Sequence, residues 1–294
     1  ERRVAGRKGL GAVMGSKNLK AIALRGDHQV QIADKEKYDA ARKRMREGMQ
    51  KSPILYPEFS RYGTSTTLDL TQALGIYPAL NWAGTGVFTP ADKIGGFAIE
   101  ALSAGKTACA GCPVGCSQMR LAQQPPYTGM FTEGPEYETL YSFGGVTGVD
   151  NPDAIIAADR ICDELGLDTI SAGVTIAFAM ELFEKGILTL DDTDGIDLRF
   201  GNDQAMVKML HLMAERQGLG DVLADGSRAA AKRIGKGSEK YAMHIKGLEL
   251  PGYDVRGAKA HGLSMATAFT GADHNKGYAF QEIFSIPIPR AYDR

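Results

Sequence analysis

Three of the chain's four cysteines, Cys109, Cys112 and Cys116, fall in the run Ala-Cys-Ala-Gly-Cys-Pro-Val-Gly-Cys. Thiolates this close can converge on one inorganic centre only where the backbone turns tightly between them, and Gly111, Pro113 and Gly115 supply the turns. An iron–sulfur cluster fits, because its irons take cysteine thiolates and its sulfides accept backbone N–H bonds. Zinc fits the donor type too, but structural zinc usually pairs two such knuckles and the sequence carries one. Plain buried thiols are a third reading. Cys162 shares an apolar stripe with Ile155, Ala158 and Leu165, so it reads as core rather than as a ligand. A disulfide scaffold would be shorter and richer in cysteine, so the cluster points to a reducing compartment, hence the cytoplasm.

Other residues carry chemistry less openly. Glu138 follows Glu133 and Glu136; crowded carboxylates repel, which raises a pKa and suits a base working near neutrality. The bland alternative is a solvated acidic loop. His274 lies in a glycine-rich loop with Asp273 and Lys276, where a surface role competes with a catalytic one. His28, His211, His244 and His261 have no such neighbours, though His261 is a candidate for the same cavity. Asp163 and Asp168 flank a helix end, as a last-turn acid and an N-cap, or as carboxylates that accept a fork of N–H donors. The opening Gly9-Leu10-Gly11-Ala12-Val13-Met14-Gly15-Ser16-Lys17 fails both the phosphate-loop and the dinucleotide patterns. Beside Arg3, Arg7 and Lys8 it reads equally as a phosphate cradle or as a tight turn before a strand.

The elements that must position these residues are mostly helices. Ala21–Leu24 reads as a short buried strand and Asp34–Met49 as an amphipathic helix with Tyr38, Ala41, Met45 and Met49 on one side. A helix is expected near Thr66–Leu74, the cysteine loop at 108–118, and a further loop over Gln124–Pro135. Asn151-Pro152 starts a helix that Gly166 ends; a second runs Thr169–Glu184, a third from Asn202 to Gly218 with Met206, Met209, Leu210 and Met213 as core, and a fourth Asp221–Ile234. The fold class is mainly α.

With 294 residues, 44% hydrophobic and 23% charged, the chain has a globular composition. A formal charge of -1 lacks the basic excess of a nucleic-acid surface. No apolar run reaches the ~20 residues of a membrane span. The chain begins at Glu1 inside what reads as a motif, so both ends are read as truncations.

Several blocks in order resemble the aldehyde ferredoxin oxidoreductase family. They are Arg3–Ile22, the cysteine loop, Gly134-Pro135-Glu136-Tyr137-Glu138, Asp163-Glu164-Leu165-Gly166-Leu167-Asp168, Leu250–Gly257 and Gly271–Lys276. The fourth is similar to the family's D-x-x-G-L-D/C pterin motif. The resemblance implies tungsten or molybdenum held between two pterins, a magnesium ion on the pterin phosphates and a 4Fe-4S cluster nearby. It gives Cys109, Cys112 and Cys116 as cluster ligands, with the fourth in a second motif beyond this chain. It gives Arg3, Val4, Asp163, Gly166, Leu167, Asp168 and Lys276 as cofactor-binding residues, and Glu138 and His274 as catalytic. It implies three parts: 1–27 closing a β-rich pterin-binding domain, 28–242 a helical domain, and 243–294 opening a C-terminal helical domain. The implied reaction oxidises aldehydes to carboxylic acids and passes electrons to ferredoxin or another iron–sulfur acceptor. Ala157 and Arg160 stand where some members carry an E-x-x-H that binds iron between subunits, which argues against that metal and leaves a homodimer open. The alternatives are a related tungsten subunit of an aromatic acyl-CoA reductase and a helical binding module with a zinc knuckle.

Overall fold

The computed structural model describes residues 6–277, 279 and 281–284. Its first helix, α1 (Leu10–Ser16), buries nothing. The stretch Ala21–Leu24, expected as a buried strand, is without regular structure, with Leu24 92% exposed. An apolar run becomes a strand only against a partner, and none pairs with it among the described residues. α2 (Lys35–Lys51) is the helix expected from Asp34, whose side chain caps it by accepting from Lys37 N. Its apolar side stays in solvent, including Tyr38 and Met45.

α3 (Thr66–Ala73) leads to a small antiparallel sheet, β1 (Ser103–Thr107), β2 (Ser117–Leu121) and β3 (Phe131–Glu133), with β2 in the centre. The cysteine loop is the β1–β2 connection, and Thr107 pairs with Ser117 to clamp its base. β3 falls inside the stretch expected to be loop; it is a strand because Thr132 and Phe131 pair with Arg120 and Leu121.

Next come α4 (Tyr137–Leu140), which continues into a π-helical turn over Tyr141–Gly145, then α5 (Pro152–Leu165), α6 (Thr169–Glu184) and α7 (Asp203–Glu215). Their starts are chemically explicit. Asn151, Asp168 and Asn202 each accept a backbone N–H of the first turn, and Gly166 closes α5 at φ 71°. The helix expected over Asp221–Ile234 is two, α8 (Leu219–Leu223) and α9 (Ser227–Ile234). The break occurs because buried Glu249 accepts from both Ser227 N and Ser227 Oγ, each at 2.9 Å, and starts a new helix there. A hairpin of β4 (His244–Ile245) and β5 (Leu248–Glu249), then α10 (Lys259–Thr267) and α11 (His274–Gly277), complete the described chain apart from a last turn at Gln281–Phe284.

α6 is buried without interruption from Ala172 to Leu182. A helix apolar all round belongs in the centre, and each fully buried Ile, Leu or Phe contributes ~1.5–3 kcal/mol. One apolar cluster runs from Leu68 through α5 and α6, takes in Met206, Met209 and Met213, and reaches Tyr253 and Met265. The fold is mainly α, as expected. No single helix among the described residues is long and apolar enough to cross a membrane.

Candidate functional site

α4 places Glu138 in its first turn, between buried Tyr137 and Thr139. The tyrosines of this segment hold the stretch 250–253 against it. Tyr137 donates its hydroxyl proton to Gly252 O, and Tyr141 to Leu250 O at 3.1 Å. This presents the N–H of Gly252 to Glu138 Oε2 at 2.8 Å. Only glycine permits the approach: a Cβ there would lie 2.8 Å from Tyr141 and 3.0 Å from Tyr137. The other oxygen, Oε1, is buried and accepts no hydrogen bond from a described residue. Burial pushes the Glu138 carboxyl above the usual range; His274, the Gly252 N–H and Arg7 pull it partly back, and Asp168 adds to the rise.

His274, 136 positions later, brings Nε2 to 3.9 Å from Glu138 Oε1. Asn275 Nδ2 lies 3.2 Å from that same ring nitrogen. With the amide donating, the proton of the neutral imidazole sits on Nδ1, which is buried with no described hydrogen-bond partner. An unpaired oxygen on Glu138 and an unpaired ring nitrogen on His274 therefore share one region. His261 packs edge-on to Tyr253, ring centroids 4.8 Å apart, and its pKa is pushed down to about 4 by burial and then by His274. It belongs to the same neighbourhood.

Beside this region Arg7 makes a junction that has no local signal in the sequence. Its guanidinium donates to Asp168 Oδ2 (2.8 Å), Ser171 Oγ (3.3 Å), Glu249 O (2.9 Å) and Ala272 O (3.0 Å). Lys8 pairs with Asp273. The glycine-rich opening is thus docked on the pterin-like motif, and an open cleft of about 780 Å³ runs between Arg7, Lys8, Lys20, Gly166, Asp168 and Glu249. Asp163 faces elsewhere, into a groove of about 430 Å³ with Thr107, Phe131 and Arg160. Leu167 is half-buried, its N–H donating to Cys162 O at 2.9 Å. Lys276 is exposed, its ammonium 4.7 Å from the centre of the Phe269 ring. Arg3 and Val4 lie outside the described residues.

Cys109 is exposed on the β1–β2 loop, with Cys112 and Cys116 half-buried. Gly111 and Gly115 take φ of 74° and 62°, the left-handed turns the spacing requires, and Tyr56 donates its hydroxyl to Pro113 O. The Cys116 thiol is pushed up by burial first, then by Glu136 and, least, by Cys112 and Cys109. No three His, Cys, Asp or Glu side chains among the described residues close on a single ion. In a cubane each cysteine binds a different iron, so its sulfurs stand farther apart than the ligands of one zinc. Cys162 is fully buried in the core cluster. The loop connects to Glu138 through the sheet, because Gly134 N donates to Gln118 O at 2.8 Å and Glu136 pairs with Thr64.

A family description, "Aldehyde ferredoxin oxidoreductase, domains 2 & 3", matches residues 40–294. The chain is 42% identical over 291 residues to the tungsten-containing aldehyde ferredoxin oxidoreductase of Pyrococcus abyssi, covering 97% of this chain and 47% of that protein. It is 34% identical over 278 residues to the WOR-like subunit of the aliphatic sulfonate oxidoreductase of Pyrococcus furiosus, covering 92% and 44%. A solved structure, the active site complex BamBC of benzoyl coenzyme A reductase with 1,5 dienoyl-CoA, superposes with a TM-score of 0.64 at 26% identity, over 83% of this chain and 38% of that one. The chain spans about half the length of the curated relatives it matches.

Proposed function

The chain belongs to the aldehyde ferredoxin oxidoreductase family, and from that premise we propose that it is the helical part of a tungsten-pterin enzyme that oxidises an aldehyde to a carboxylic acid and passes the electrons through an iron–sulfur cluster to a ferredoxin-like acceptor. The observation that carries this reading is the pair of buried, unpaired atoms, Glu138 Oε1 and His274 Nδ1. Isolated buried polar atoms cost about 1–3 kcal/mol each, a cost that a substrate's polar atoms would offset.

The donor types suit the groups that the family implies. Cys109, Cys112 and Cys116 would hold the cluster, with tight turns that expose backbone N–H groups to it. The cleft beside Gly166 and Asp168, with Lys8 and Lys20 among its lining residues, suits an anionic pterin and its magnesium-bound phosphates. Gly166, Leu167 and Asp168 would meet a pterin there, with Lys276 at the His274 end, whereas Asp163 lines the other groove. Asp168 spends Oδ2 on Arg7 and Ser171 N, so its remaining oxygen is the one to receive a pterin N–H. When bound, the metal centre would supply a two-electron acceptor, and the cluster a one-electron exit.

The chain's own residues then have defined tasks. Aldehyde and water yield carboxylic acid, two electrons and two protons. Glu138 accepts the proton of the attacking water at Oε1, a task helped by a pKa raised toward neutrality. His274 donates from Nδ1 to the carbonyl oxygen as negative charge develops on it, where a fixed donor away from water is strongest. The packing of Tyr137, Tyr141 and Tyr253 excludes water from the carboxylate. The resemblance divides the chain into 1–27, closing a β-rich domain, 28–242, a helical domain, and 243–294, opening a second helical domain.

A second reading, a tungsten subunit acting on an aromatic acyl-CoA, is supported by the benzoyl coenzyme A reductase match, at lower identity than the aldehyde enzymes. Elemental analysis of the intact protein, with turnover of aldehydes against acyl-CoA thioesters, tests both. Tungsten and iron with aldehyde oxidation support the first; zinc without tungsten or iron would falsify both.

A further inference from the structure

Asp159 is a buried carboxylate on α5, in the helix's apolar stripe four residues after Ile155, and none of the residue roles above uses it. Its Oδ2 accepts from Thr132 Oγ1 on β3 at 2.6 Å, and its Oδ1 from Thr139 Oγ1 on α4 at 3.2 Å. Gly134 passes so close that a Cβ there would lie 2.7 Å from Oδ2. One carboxylate therefore joins the strand that leaves the cysteine sheet, the turn after it, and the helix in which Glu138 immediately precedes Thr139. Thr139 Oγ1 also lies 3.1 Å from Thr169 Oγ1, at the start of α6. A threonine has one proton to donate, so Thr139 gives it either to Asp159 or to Thr169.

We propose that Asp159 is a positioning residue for Glu138: as a carboxylate it holds Thr132 and Thr139 together and sets α4 at the height that brings Glu138 to His274. This rests on the role given to Glu138 above. Protonation of Asp159 makes one oxygen a donor, turns the Thr139 proton toward Thr169 and releases the hold. The groups bearing on Asp159 make that event accessible. Burial raises its pKa, to about 7; the Thr132 hydroxyl lowers it, Asp163 one turn along α5 raises it, the Thr139 hydroxyl lowers it, and Glu136 at the foot of α4 raises it. Both charged neighbours are acidic.

Asp159→Asn fixes the uncharged form, and Thr139→Val removes the hydroxyl while keeping the side chain's shape. In the intact enzyme, kcat/KM should fall with acid as two protons bind, to Glu138 and Asp159. In Asp159→Asn the limb should reflect one proton and kcat should drop ~10-fold or more, with KM moving less, as expected for a misplaced base. Isotope-edited infrared titration of glutamate-labelled protein reads Glu138 without turnover, and its midpoint should move in both variants. A two-proton limb retained in both variants, or a Glu138 band that does not move, overturns the proposal even if melting temperatures fall. An enzyme that oxidises no aldehyde refutes the role of Glu138 as base, and the infrared titration still decides whether Asp159 positions it.

Discussion

The two chemical regions of this chain are built in opposite ways. Glu138 and His274 are half-buried against the chain's own core, with Tyr137, Tyr141 and Gly252 fixing the carboxylate from several sides. The cysteine loop is held by its strand base, by Tyr56 and by left-handed glycines, and its first thiol stands in solvent. A base and a hydrogen-bond donor act on charge that develops during a reaction, so they must be preorganised in a dry place. Thiolates bind strongly enough to order a loop themselves, so the chain need supply only donors and turns.

The largest expected effect lies on the Glu138 side. Glu138→Gln preserves shape and removes the base, so turnover should fall ~100-fold or more while tungsten and iron contents stay at wild-type levels. Equal loss of metal would mean that Glu138 serves the cofactor rather than the proton. On the open side, Cys112→Ser should strip the iron and leave the core's far-ultraviolet dichroism and α6 protection intact. Cys162→Ser should leave iron unchanged, because that thiol packs within the core; losing the cluster would overturn its assignment.

The junction between the two regions comes next. Arg7→Ala removes four hydrogen bonds, one to a carboxylate, and leaves two buried carbonyls and Asp168 to find new partners. A loss of about 2 kcal/mol is expected in chemical denaturation. If stability is unchanged, the opening segment is not docked there in solution.

The last effect is in pH. His261 has a folded pKa lowered to about 4 from 6.5, so the unfolded chain takes up a proton before the folded one does. The stability it contributes is present above pH 6.5 and is lost as pH falls through 4. His261→Phe, which keeps the edge-on packing with Tyr253, should flatten that part of the stability curve. An unchanged slope would show that His261 is not desolvated.

The helices were legible because their ends are spelled out locally. Asn151-Pro152, Asp168 and Asn202 are caps, and the apolar stripe of α5 repeats at helical spacing. The sheet was not legible, because Ser103-Ala104-Gly105-Lys106-Thr107 has no alternation and almost no burial. Ala21–Leu24 was misread for the converse reason, being apolar without a partner strand. Asp159 left a usable signal, a lone acid within the buried stripe of α5. Glu138 and His274 could be associated only through resemblance, since no pattern within the chain relates loops so far apart. Arg7 gave no signal, because its partners lie 161 to 265 positions away.

Those separations also set an order of events during synthesis. Arg7 leaves the ribosome well before its partners, and its bond to Ala272 spans 265 residues. At ~5–20 residues per second, roughly 10–50 s pass before its last partner exists. The helices of the centre have their own partners long before then. The wall of the cleft formed by Arg7 and Lys8 is therefore the part of the site that closes last, on a core already assembled.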